Sequence, residues 1–159
     1  MRKHIIATLV TGLALAVAPT VAAHCQIPCG IYDDELRVQL IEEHITTIEK
    51  SMRQINELSK QSPVDFNQLV RWIDNKEQHA QEIQDIVAEY FLSQRIKAPA
   101  AAEGEAWDAY LAQLATLHQI TVAAMKAKQT TDAAPIESLK RHVATVRTSY
   151  FGEKGGHSH

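Results

Sequence analysis

Cysteine is scarce. The 159-residue chain has two, Cys25 and Cys29, too few for a scaffold built on disulfides. Proline and glycine are scarce too, at five and six residues. The turn residues that punctuate strand-rich chains are therefore thin on the ground, and the composition leans towards helix. Positive charge is not in excess either: the net charge is −3, which argues against the basic footprint of a nucleic-acid binder. The chain has no internal repeat and no strand-like alternation of apolar and polar residues. It has no Cys-x-x-Cys-His for covalent haem. It also lacks the Glu-x-x-His pairs that build a di-iron site in a helical bundle.

What is present begins with a leader. Arg2 and Lys3 form a short positive region, and Ile5 to Ala16 is an almost unbroken apolar stretch. Val21-Ala22-Ala23 puts small residues at the positions a signal peptidase reads. Residues 1–23 read as a secretory signal peptide, cleaved after Ala23. The stretch is too short and too lightly flanked for a convincing membrane span. An uncleaved anchor is the other reading, and a lipoprotein signal is disfavoured because His24, not a small residue, precedes Cys25. The expected compartment is periplasmic or secreted, with no membrane association after cleavage. Loss of Arg2 and Lys3 leaves the chain more acidic, so an anionic substrate would have to be attracted by local positive charge.

Four amphipathic segments follow. Ile41, Ile45, Ile48, Met52 and Ile55 make a core stripe on a helix from about Asp34 to Ser59. Acidic residues at Asp33, Asp34 and Glu35 suit its N-terminus. Ser62-Pro63 reads as the start of a second helix running to about Lys97, which Ala98-Pro99 stops. Phe66, Leu69, Ile73, Ala80, Ile83, Val87 and Tyr90 are its expected apolar face. A third helix spans about Glu103 to Lys128, with Trp107, Leu111, Leu114, His118, Thr121 and Met125 on one face. The fourth spans about Pro135 to Tyr150 on a stripe of Ile136, Leu139, Val143, Val146 and Tyr150. Short connections make sequential helices antiparallel neighbours. The expected fold is all-α: an up-down antiparallel four-helix bundle over residues 33–151, preceded by a hook at 24–32. Residues 152–159 are expected to form a disordered Gly-rich tail.

The hook carries the chemistry. Cleavage after Ala23 frees an α-amine on His24, a residue that also offers an imidazole. Cys25 adds an amide nitrogen and a thiolate, and Cys29 a second thiolate. Amine, amide and Cys25 sulfur close two chelate rings, Cys29 fills the fourth corner of a square, and the His24 imidazole reaches an axial position. Square-planar nitrogen and sulfur ligation suits Ni(II) or Cu(II), whereas zinc prefers a tetrahedron of side-chain ligands that this spacing does not offer. Pro28 bends the loop and Gly30 permits a tight exit. A Cys25–Cys29 disulfide is the competing reading in an oxidising compartment, but it has no use for a histidine at the new N-terminus.

The sequence His24-Cys25-Gln26-Ile27-Pro28-Cys29-Gly30-Ile31-Tyr32, directly after a leader, resembles the nickel-binding hook of the nickel superoxide dismutases. Asn75-Lys76-Glu77-Gln78-His79 resembles a segment of that family's second helix, and Tyr90-Phe91 a pair near its end. The resemblance implies disproportionation of superoxide to dioxygen and hydrogen peroxide, with one nickel ion per chain cycling between its divalent and trivalent states. It implies ligation by His24, Cys25 and Cys29. It makes Tyr32 the catalytic residue lining substrate approach through ordered water, and the assembly a homohexamer that needs a maturation protease. Gln26 stands where some members have an acidic residue. His79 stands where some have an arginine reaching towards a neighbouring subunit's hook, so its charge would vary with pH. Glu42 and Glu43 are the carboxylates close in sequence that are candidates to orient an axial imidazole.

Other residues read more plainly. His44, His118 and His142 sit singly on separate helices with no partner at i+3 or i+4, and are expected to be helix residues rather than ligands. Trp72 and Trp107 are expected in the core or an interface. Two rivals to the enzyme remain: a periplasmic nickel or copper carrier using the same hook, and a helical bundle stapled by Cys25–Cys29.

Overall fold

A computed structural model describes residues 31–151. The described residues form four helices and no strand. Helix α1 spans Asp34–Leu58. Helix α2 spans Phe66–Asp85 and passes directly into a π-helical segment, Ile86–Arg95. Helix α3 spans Glu105–Gln129 and α4 spans Ala134–Phe151. Helix α1 packs on α2 and α4, and α3 packs on α2 and α4. Cross-helix pairs run in opposite numerical order. His44 meets His79 while Ser51 meets Asn75. Lys76 meets Ala127 while Gln84 meets Thr121. Glu42 meets Arg147 while Glu49 meets Lys140. These neighbours are antiparallel, and the short link 130–133 turns α4 back along α3, giving the up-down bundle that the helical pattern requires. Among the described residues no helix is long and apolar enough to cross a membrane.

The α1 and α4 stripes are buried as their periodicity requires. Ile41, Ile45, Ile48, Met52 and Ile55 face the core from α1, and Ile136, Leu139, Val143 and Val146 from α4. Removing each such side chain from water stabilises the fold by about 1.5–3 kcal/mol. Tyr150 is only partly buried and meets Phe91 edge to face, with ring centroids 5.8 Å apart. Asp33 caps α1, its side chain accepting from the Leu36 amide at 2.9 Å.

Two stretches depart from expectation. Helix α2 starts at Phe66, not Pro63, because Asp65 is the cap: its carboxylate accepts from the Gln68 amide at 3.1 Å. A carboxylate satisfies an otherwise orphaned amide, which the Ser62-Pro63 pair does not do here. The first turns of α2 are also less buried than expected, with Phe66 70% exposed and Ile73 exposed as well. Helix α3 ends level with Lys76, whose ammonium donates to the carbonyls of Ala127, at 2.9 Å, and Lys128. The turns of α2 before Lys76 therefore have α1 beside them but not α3.

Helix α3 turns a different face inward. Leu117, Ile120, Ala123, Ala124 and Ala127 are buried. Leu111, His118 and Met125 are exposed, and Trp107, Leu114 and Thr121 are half-buried. The helix carries apolar residues nearly all round, so periodicity alone could not choose its face. The alanines decide it by allowing close approach. Gly104 precedes this helix at φ +81°, a left-handed conformation that favours glycine.

Candidate metal centre

His24, Cys25 and Cys29 lie outside the described residues. Tyr32 is described, and what holds it is informative. It sits one residue before the Asp33 cap, where the chain enters α1. The Arg95 guanidinium lies over its ring, 4.4 Å from the centroid. Tyr90 meets the same ring edge-on at 6.2 Å between centroids. Tyr32 remains 48% exposed.

Arg95 is itself fixed. Its Nε and Nη2 donate to Oδ1 and Oδ2 of Asp34, both at 2.7 Å, the paired geometry that makes arginine–carboxylate contacts specific. The Tyr90 hydroxyl donates to the same Asp34 Oδ1 at 2.6 Å. Burial pushes the Asp34 carboxyl up, but the bonds from Arg95 and Tyr90 and the Arg95 charge outweigh it and hold the group below its ordinary value. Burial, followed by the bond to Asp34, pushes the Tyr90 phenol up to about 12. Tyr90 is therefore a neutral hydrogen-bond donor at physiological pH.

The π-helical segment explains how one carboxylate is reached by two residues five apart. Hydrogen bonding from i+5 to i stacks such residues on one face. The Ile96 amide donates to the Phe91 carbonyl at 2.8 Å, and the Ser93 hydroxyl to the Ala88 carbonyl at 2.6 Å, both in this register. Tyr90 and Arg95 thus converge on Asp34. Arg37 adds a second cation. It lies 5.1 Å from the Tyr90 ring centroid, and its buried Nε has no hydrogen-bond partner among the described residues.

The segment Asn75 to His79 stitches the bundle. Asn75 donates to the Ser51 hydroxyl at 2.9 Å, and buried Lys76 closes the C-terminus of α3. His79 and His44 are 2.7 Å apart, Nδ1 to Nδ1. His44 is a partly buried helix residue, as expected, and it has in addition a partner on the next helix, 35 positions on, where no local spacing could show it. Glu42 is committed elsewhere, accepting from Arg147 at 3.1 and 2.8 Å. Trp107 stacks obliquely on Tyr110, and both tryptophans are half-buried.

Among the described residues no group of three or more His, Cys, Asp and Glu side chains is arranged to hold a metal ion. The residues expected from the sequence to hold nickel, His24, Cys25 and Cys29, are outside the described residues, so this absence does not bear on them. The model of the nickel-containing superoxide dismutase family matches residues 19–154, and the chain belongs to that family. Comparison with curated proteins and with solved structures gives no match. Membership makes the chain an oxidoreductase that disproportionates superoxide with nickel as its cofactor, and nothing favours the carrier reading.

Proposed function

We propose that the mature chain begins at His24 and that His24, Cys25 and Cys29 hold one nickel ion per chain, with Tyr32 as the catalytic tyrosine at the approach to it. The observation that carries this reading is the clasp on Tyr32. Arg95 and Tyr90 fix a ring that lies three positions along the chain from Cys29, with two residues between, a reach of at most about 11 Å. A tyrosine that merely ended a flexible tether would have no need of such support.

Bound nickel supplies one-electron redox chemistry, through which one superoxide is oxidised to dioxygen and a second, with two protons, is reduced to hydrogen peroxide. The side chains attract the anion, order water and deliver protons. Tyr32 presents a hydroxyl and an open ring face to arriving substrate. Arg37 lies in the same cluster and provides local positive charge, since that of Arg95 is largely neutralised by Asp34.

Cleavage of residues 1–23, periplasmic or secreted location and a homohexameric assembly belong to the same proposal. Hexamer formation is supported by the exposed apolar row Phe66, Val70 and Ile73 on α2, which would be covered in an assembly. Replacing Cys25 or Cys29 by serine tests the ligand set. Each change should abolish nickel retention and turnover while leaving helicity intact. Full activity in either variant excludes that cysteine as a required ligand.

A further inference from the structure

We propose that Arg95 is a positioning residue for the metal hook: pinned by Asp34, it clamps the Tyr32 ring and so sets the direction in which the chain leaves the bundle towards its ligands. This rests on the nickel-hook reading above and deepens it.

Three relationships converge on the role. First, Arg95 has its guanidinium carbon over the Tyr32 ring and its fork on Asp34, so a single side chain links the entry segment to α1. Second, Asp34 is the first residue of α1, directly after the Asp33 cap. The clamp therefore closes between Tyr32 and the start of a helix that cannot shift without disturbing the core. Third, the π-helical register is what brings Arg95 beside Tyr90 on Asp34. In an α-helix residues five apart do not share a face. The chain thus adopts a rare backbone form at the point where the clamp is made, and such segments are frequent at functional sites.

Charge alone does not account for this geometry. Arg95 is paired to Asp34, so much of its positive charge is neutralised. A lysine would keep the charge but lose both the paired hydrogen bonds and the guanidinium over the ring. Positioning and attraction are therefore separable by substitution.

The experiment compares Arg95→Lys, Arg95→Gln and Tyr32→Leu with the parent, each as the full mature chain starting at His24. In the metal-free chains, NMR contacts between the residue 95 side chain and the Tyr32 ring report the clamp itself, whether or not nickel binds. In the nickel-loaded chains, nickel affinity, the nickel electron paramagnetic resonance spectrum and the ionic-strength dependence of turnover are read. Both Arg95 variants should lose the ring contacts and weaken nickel affinity or turnover by about 10–100-fold, as loss of supporting neighbours does at metal sites. Their resonance spectra should change in the same way, with melting still cooperative. Tyr32→Leu, at an exposed position that leaves Asp34 and Arg95 paired, should change the spectrum similarly, and combining it with Arg95→Lys should add little. Normal affinity and spectrum in both Arg95 variants would overturn the proposal. So would full rescue by lysine with failure of glutamine, or additive effects in the double variant. If the parent itself binds no nickel, the hook reading fails, while the NMR contacts still decide whether the clamp exists.

Discussion

Nδ1 of His44 on α1 lies 2.7 Å from Nδ1 of His79 on α2. Two ring nitrogens at that distance share one proton, one donating and the other accepting, so a doubly charged pair is disfavoured. The groups that face His44 electrostatically are His79, Glu82 and Glu43. Burial and then the His79 charge lower the His44 pKa, while the two glutamates oppose the shift. A group with a depressed folded pKa binds more protons when unfolded, so stability rises with pH through its range. This contribution is present above the ordinary histidine value of 6.5 and fades as pH falls through it towards the lowered folded value. Denaturant unfolding between pH 8 and pH 5 should show the loss, and His44→Asn should flatten that part of the profile. An unchanged slope in the variant would assign the pH dependence to other groups.

Asp34 gives a second, more acidic signature. Its carboxylate receives two bonds from Arg95 and one from Tyr90. Asp34→Asn should destabilise the fold by about 2 kcal/mol, the range for hydrogen bonds to charged groups. Because the folded pKa is lowered, the stabilisation is full above the ordinary value of 3.8 and is lost as pH falls through the folded value. Urea melts of parent and variant should therefore differ at pH 7 and converge towards pH 2.

The bundle separates core from surface along α2. Ile83 is fully buried whereas Phe66 is 70% exposed. Ile83→Ala should cost about 2–5 kcal/mol. Phe66→Ala should change the stability of an isolated chain by no more than about 0.5 kcal/mol. Phe66→Glu, combined with Val70→Glu, should instead lower the oligomeric state measured by light scattering if that row is an assembly surface. An unaltered oligomeric state would place any interface elsewhere.

The stripes of α1 and α4 were legible because Ile41, Ile45, Ile48, Leu139 and Val143 alternate with polar residues at helical spacing. The face of α3 was not, because Ala123, Ala124 and Ala127 carry less apolar surface than the exposed Leu111 and Met125, and a size-weighted pattern favours the larger side chains. The start of α2 was misread because two capping signals, Ser62-Pro63 and Asp65, lie three residues apart. The proposed ligands His24, Cys25 and Cys29 rest on the sequence alone, where their donors are adjacent; they lie outside the described residues. The support around Tyr32 was not legible. Asp34 and Arg95 are 61 positions apart, and nothing in Ile86–Arg95 marks it as π-helical, since it contains neither proline nor glycine.

The most direct test of the account measures nickel content and superoxide dismutation on the chain cleaved to start at His24, beside the same chain with one added residue before it. The first should carry about one nickel per chain and turn over rapidly, and the second should lose both, because the added peptide bond removes the proposed amine ligand. Equal loading and turnover in the two chains would contradict amine ligation by His24 and, with it, the proposed hook.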